Sequence, residues 1–348
     1  MTVRALVRAL GAATAVGTAA ALLRTVVARH RLVAAVPAEL RHPTLYLPLT
    51  FSAPVLWFLR RASPRPTALV PGTTVDRRTV RGRSDQPSVD VLVYEPAGRR
   101  RPSGALLWIH GGGFVLGDPV TYHDVCSRYA TELGVTVVSV DYRLAPEHPF
   151  PAALDDCYAA LRWLHDSAAE LGVDPARIAV GGDSAGAGLA ATLAQLAHDR
   201  AEVDICFQLL IYPMLDDRTV LRTDHAGTGQ LVWTPASNRF GWTSYLGRPP
   251  AGAEYRPYAA AARRDDLQGL PPAWIGVGDV DLFHAEDVEY AERLRAAGVP
   301  CDLHVVPDLY HGADGFRETH SAVAADFRRR TLEALRPVIG HPVPDPAS

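Results

Sequence analysis

Three short stretches of the chain combine residue types at spacings that suit nucleophilic chemistry. Gly182-Asp183-Ser184-Ala185-Gly186 reads G-x-S-x-G. It follows an apolar run, Arg177–Gly181, and opens a helical pattern through Leu189–Ala197. A strand turning at once into a helix holds its serine in a strained conformation, and only small neighbours clear the turn. Ser184 is then a nucleophile at the carboxyl end of a strand, beside a helix N-terminus that favours developing negative charge. A Gly/Ala-rich turn gives the same letters by chance, but seldom between a strand and a helix. Gly186-Ala187-Gly188-Leu189-Ala190-Ala191 overlaps it and fits the dinucleotide fingerprint G-x-G-x-x-A. Its glycines would have to form a turn that Gly182–Gly186 already occupies, so they read as helix–sheet packing and no cofactor is expected.

His110-Gly111-Gly112-Gly113-Phe114 directly follows the apolar run Ala105–Ile109. Consecutive glycines let backbone N–H groups converge on one point, which is what an oxyanion requires. With the residue after the nucleophile, the donors would be Gly112, Gly113 and Ala185. A base must follow in the C-terminal part, where His198, His225, His284, His304, His311, His320 and His341 are found. His304 falls inside a strand, and His198, His284 and His320 suit solvated helix faces. His311 lies in the loop after Leu303–Val306, where a base belongs. The acid that orients it should follow the strand Ala273–Val277, where Asp279 and Asp281 both qualify by position. Asp279 comes so soon after the strand that a turn role, bonding nearby backbone N–H groups, suits it. Glu286 and Asp287 are expected to face solvent or to cap the first turn of the next helix.

The elements that must carry these residues alternate. Short apolar runs at Val89–Tyr94, Ala105–Ile109, Val135–Val140, Ile178–Gly181, Ile205–Ile211, Ala273–Val277 and Leu303–Val306 predict strands. Helical patterns run over Ala152–Leu171, Ala185–His198, Ala285–Ala297 and Thr319–Leu335. Strands separated by helices mean an α/β fold, a mostly parallel sheet with helices on both faces. Met214–Tyr258, aromatic among Gly and Pro, interrupts the rhythm as an insertion; its rings either line a pocket or pack the insertion. Arg60–Arg101 holds one predicted strand, Val89–Tyr94.

Composition narrows the chemistry. The 348 residues carry a net charge of −3, which does not suit a nucleic-acid binder. All 35 basic residues are Arg, so P-loop, kinase and Schiff-base chemistry, each needing a lysine, is excluded. Cys126, Cys157, Cys206 and Cys301 have no zinc or disulfide spacing, and no H-E-x-x-H occurs, so no metal is expected. The uncharged run Ala9–Leu23 is short for a bilayer span and has a weak cleavage site at Ala19–Ala21. A second run, Pro43–Leu59, contains Pro48 and Pro54 and does not suit one straight helix. A packed accessory segment is preferred over a signal peptide or a membrane-surface element. A cytoplasmic protein with peripheral membrane contact through this segment is the expectation.

Together HGGGF, the stretch Asp141–Ala153 (DYRLAPEHPFPAA) and GDSAG resemble the hormone-sensitive-lipase-like esterases of the α/β-hydrolase superfamily. The resemblance runs from about Val89 to Phe316. It implies an α/β-hydrolase fold and a serine carboxylesterase acting on short- to medium-chain acyl or aryl esters without a cofactor. It also implies a helical cap, formed by an N-terminal segment (1–75) and an insertion (about 214–258) over a catalytic domain (76–348). The family's acid lies about thirty residues before its histidine, and 311 − 281 = 30 gives that place to Asp281. The implied triad is Ser184, Asp281 and His311. Two departures stand out: Asp281-Leu282-Phe283-His284-Ala285-Glu286 lacks the family's Pro and second Asp, and Gly312 is followed by Ala313. Arg143 and Glu147, four apart, suit a structural ion pair beneath the site. Amide hydrolysis on the same triad is the alternative activity. A non-catalytic receptor on this fold is a minor one, since the receptors of this kind lack the histidine.

Overall fold

The computed structural model describes residues 23–47, 50–61, 65–82, 86–251, 256–317 and 319–340. One sheet contains β1 (Thr73–Val80), β2 (Val89–Pro96), β3 (Ser103–Ile109), β4 (Thr136–Asp141), β5 (Val173–Asp183), β6 (Phe207–Ile211), β7 (Ala273–Gly278) and β8 (Cys301–Val306). Their order is β1-β2-β4-β3-β5-β6-β7-β8. The pairs β1/β2 and β2/β4 are antiparallel and all others parallel. The helices are α1 (23–35), α2 (Ala53–Arg61), α3 (His123–Leu133), α4 (Ala152–Asp166), α5 (Ala168–Leu171), α6 (Ala185–Arg200), α7 (Pro235–Leu246), α8 (His284–Ala296), α9 (Ala313–Arg317) and α10 (Ala322–Leu335).

Strand periodicity builds a core on each face. Val91, Val93, Leu107 and Ile109 pack with residues of α4, α6 and α8. Their neighbours Leu92, Tyr94, Leu106 and Trp108 point the other way, onto α3 and α10. Val33, Val36, Leu40 and Leu45 of the N-terminal segment join this second core. The insertion joins the first through Trp242 and Tyr245.

Several expectations need correction. The stretch Arg60–Arg101 holds two strands, because β1 is an edge strand whose sequence, TTVDRRTV, buries only Val80 and shows no apolar alternation. Helix α3 carries a buried stripe at Cys126, Tyr129, Ala130 and Leu133, and Gly134 ends it at φ 66°. The pattern Ala152–Leu171 breaks at Ser167 (φ −92°, ψ 9°). The C-terminal helix begins at Ala322, because the Ser321 hydroxyl accepts from Ala324 N–H (3.2 Å) as its cap. Arg143 pairs not with Glu147 but with buried Asp156, which faces it from α4 (Nη2–Oδ1 2.8 Å) and also accepts its backbone N–H. Glu147 turns outward and takes Arg60 instead (2.8 Å). As expected, Pro43–Leu59 is not one helix: it holds a short 3₁₀ turn at Pro43–Tyr46 and most of α2. Ala9–Leu23, apart from Leu23 itself, Pro48 and His341 lie outside the described residues.

Candidate active site

Five parallel strand ends deliver the site. At the end of β5, Ser184 adopts φ 53°, ψ −120° before α6 begins. Its N–H donates to Ile211 O (2.9 Å), and its carbonyl accepts from Gly188 and Met214 N–H, so the strained turn is bonded on both sides. A Cβ on Gly182 would stand 2.3 Å from Ile109 O, and one on Gly186 2.0 Å from the same atom. Glycine at both positions therefore lets the end of β3 press against the serine turn. Gly188 packs in the same way against Met214 O, in agreement with a packing role for the overlapping glycines.

The loop after β3 begins at buried His110, which stacks on Tyr142 (centroids 4.3 Å) and donates from Nδ1 to Gly111 O (2.8 Å). Burial pulls its pKa down to about 4, so the ring is neutral at ordinary pH. Gly112 and Gly113 have φ 120° and 61°, and among the described residues neither N–H has a partner. Gly113 is walled by Trp233 of the insertion: a Cβ there would fall 2.2 Å from the indole. Ala185 N–H opens α6 and has no intrahelical acceptor.

His311 stands in the loop after β8, buried. Its Nδ1 is 2.8 Å from Asp281 Oδ2 and its Nε2 2.9 Å from Ser184 Oγ. Asp281 Oδ1 accepts from Phe283 N–H (3.0 Å), which fixes the carboxylate plane. Asp279 takes the turn role instead: its Oδ1 accepts from Asp308 N–H (2.7 Å), tying the β7 and β8 loops together. Tyr212 and Phe283 meet the imidazole edge-on at 4.8 and 5.2 Å. The arrangement lets the hydroxyl pass its proton to Nε2 while Nδ1–H stays on the carboxylate.

Glu286 and Asp287 do not face solvent. The first turn of α8 lies under the start of the insertion, where Leu215 and Asp216 N–H donate to Glu286 Oε1 (2.8 and 3.1 Å) and the Thr219 hydroxyl to Oε2. Burial pushes Glu286 up to about 8 and Asp287, whose oxygens have no hydrogen-bond partner, well above the carboxylate range. Glu286 thereby anchors the insertion from below.

A cavity of about 410 Å³ opens over the serine, lined by Phe51, Gly112, Gly113, Trp233, His311 and Arg328 among others. Residues the sequence reading passed over stand beneath it. Asp183 accepts from Gly111 N–H and Tyr122 O–H (both 2.9 Å) and joins the glycine loop to the serine turn. Burial pushes its carboxyl up to about 6. Tyr212, held by Asp314 (2.9 Å), directly follows β6, so its strand-end position was a usable signal. Arg328 gave none, since Arg328-Arg329-Arg330 reads as a solvated face.

Residues 106–314 match the family model described as alpha/beta hydrolase fold. The carboxylesterase NlhH of Mycobacterium tuberculosis is 40% identical over 83% of this chain and 92% of its own. Among solved structures, a bacterial heroin esterase superposes with a TM-score of 0.73 at 36% identity, over 83% of this chain and 90% of its own. The esterase LipW of Mycobacterium marinum also gives 0.73, at 33% identity over 88% and 99%. With the sheet order, the serine turn and these likenesses agreeing, the chain belongs to the α/β-hydrolase fold family, in its hormone-sensitive-lipase-like branch.

Proposed function

We propose that this protein is a serine carboxylesterase that hydrolyses short- to medium-chain acyl or aryl esters. Ser184 attacks the ester carbonyl as His311 takes its proton, and Asp281 holds the imidazole and offsets its charge. The N–H groups of Gly112, Gly113 and Ala185 receive the oxyanion, each contributing about 3 kcal/mol in sites of this kind. Protonated His311 releases the alcohol, and water clears the acyl group by the reverse steps. The observation that carries the reading is the unbroken line Asp281–His311–Ser184, with bonds of 2.8 and 2.9 Å. A fluorophosphonate should label Ser184 alone; mass spectrometry finding the adduct on another serine would refute the assignment. A panel of nitrophenyl esters from acetate to decanoate then fixes the chain-length range.

Residues 1–75 and about 214–258 act together as a cap over a catalytic domain at 76–348. Support comes from Phe51, whose N–H donates to Ser237 Oγ (3.0 Å) and whose ring lies 5.3 Å from Trp233. Both rings line the cavity over Ser184. The segment also gives the protein peripheral membrane contact from the cytoplasm. Among the described residues, seven of the ten exposed large hydrophobic side chains fall between Leu23 and Phe58, and Arg24, Arg31, Arg61 and Arg65 are exposed around them. No helix among the described residues is long and apolar enough to cross a membrane. Cell fractionation tests this: recovery of part of the protein with membranes, released by high salt, is expected. Release only by detergent would contradict it.

A further inference from the structure

Arg328 is the first of three consecutive arginines on α10, and it alone turns inward. Arg329 and Arg330 are exposed and pair with Asp326, Arg329 with Glu333 as well. The Arg328 side chain is 14% exposed and lines the same cavity as Ser184, Gly112 and Gly113. Its Nε lies 2.6 Å from Asp314 Oδ2, while Asp314 Oδ1 is taken by the Tyr212 hydroxyl. Among the described residues neither Nη of Arg328 has a hydrogen-bond partner. Neutralising Asp314 needs only the Nε side of the guanidinium. The Nη donors carry no hydrogen bond within the protein, so in a side chain that lines the cavity they are free to bond a group that enters it.

Charge decides what they can take. Asp124 and Asp183 line the same cavity, and Asp314 stands behind the guanidinium. One cation among three carboxylates does not favour a further anion. Asp183 itself is already engaged by Gly111 and Tyr122. A neutral carbonyl oxygen accepts from Nη without charge repulsion. We infer that Arg328 is a specificity-determining residue: it donates from Nη to a neutral carbonyl oxygen that the substrate carries apart from its scissile ester. Keto- or acyl-substituted esters are therefore preferred to plain hydrocarbon esters of equal size. The inference rests on Ser184 being the ester-hydrolysing nucleophile and extends that reading to a substrate class.

Matched pairs test it. On the acyl side the pair is 4-nitrophenyl levulinate and 4-nitrophenyl valerate; on the alcohol side it is 4-oxopentyl acetate and pentyl acetate. Each kcat/KM is divided by the ester's hydroxide-catalysed rate constant to remove intrinsic reactivity. A preference of about tenfold for the keto ester is expected in at least one pair, as for a hydrogen bond from a charged donor. It should fall close to one in Arg328→Met and return in part in Arg328→Lys. Both esters meet the same protein, so a general loss of fold or activity cancels in the ratio. If Arg328→Met does not fold, the wild-type ratios still decide. Ratios near one in both pairs, with brisk valerate turnover, overturn this inference alone, as does a preference that survives Arg328→Met. Failure to hydrolyse any of the four esters would overturn the esterase reading and this inference with it.

Discussion

The strand-end loops and the N-terminal segment wall the same cavity, yet they are held in opposite ways. In the loops after β5, β7 and β8, buried side chains bond to one another, and no link from Asp281 to Ser184 exceeds 2.9 Å. The N-terminal segment buries Val33, Val36, Leu40 and Leu45 in the second core and is fastened further by its own arginines, which fork onto backbone carbonyls. Arg29 reaches Leu45, Leu47 and Gln230 O; Arg41 reaches Ala34 and Val36 O; Arg60 reaches Val115 and Ala145 O. Its outer face leaves Trp57 58% and Phe58 66% exposed. Groups that exchange protons need fixed geometry, whereas a wall needs only attachment. The two regions should therefore answer mutation differently, one in turnover and the other in stability and KM.

The sharpest break of that contrast is Ser184→Ala, expected to lower kcat by at least ~10⁴-fold with an unchanged circular dichroism spectrum. Asp281→Asn should cost up to ~10⁴-fold through loss of the correct imidazole tautomer. Asp279→Asn should stay within a few-fold of wild type, with any loss appearing as a lower melting temperature. A folded, inactive Asp279→Asn beside an active Asp281→Asn would reverse the assignment.

Asp183 sharpens the comparison through pH. Its folded pKa, about 6, lies above the ordinary 3.8, so the folded state binds the proton more tightly. The contribution is full below about pH 4 and is lost as pH rises through about 6. Urea unfolding of wild type and Asp183→Asn at pH 4 and pH 6.5 should show the difference between them changing by about 2 kcal/mol, against the wild type at the higher pH. The smallest effect belongs to the wall. Arg29→Ala should cost about 1–2 kcal/mol and raise KM while kcat stays within a few-fold. A collapse of kcat would mean that the segment orients reacting groups after all.

What the sequence made legible follows the same division. Buried parallel strands must be apolar and a serine turn must have small neighbours, so β3 to β7 and Ser184 stand out as local patterns, and His311 by its place after the run Leu303–Val306. Asp281 needed family spacing, since Asp279 satisfies the same strand-end rule. β1 was hidden because an edge strand need not alternate. Arg143, Glu147 and Glu286 were misread because their partners, Asp156, Arg60 and the 215–219 segment, are set by tertiary packing, and Asp287 because only that packing buries it. Arg328 is hardest of all: nothing local separates it from its two solvated neighbours, and only the position of α10 turns it inward.

The arginine forks have a consequence for how this protein tolerates change. Among the described residues, every acceptor of Arg29 and Arg41, and two of those of Arg60, is a main-chain oxygen, which all twenty amino acids carry. Ala34, Leu47 and Gln230, all exposed, can thus be exchanged without removing an acceptor, whereas each donor depends on one side-chain type. Lysine, with a single nitrogen, cannot bridge the same separated carbonyls. In a library of variants these attachments would look one-sided: three intolerant arginines, with exposed acceptor positions whose side chains can drift while the bonds persist.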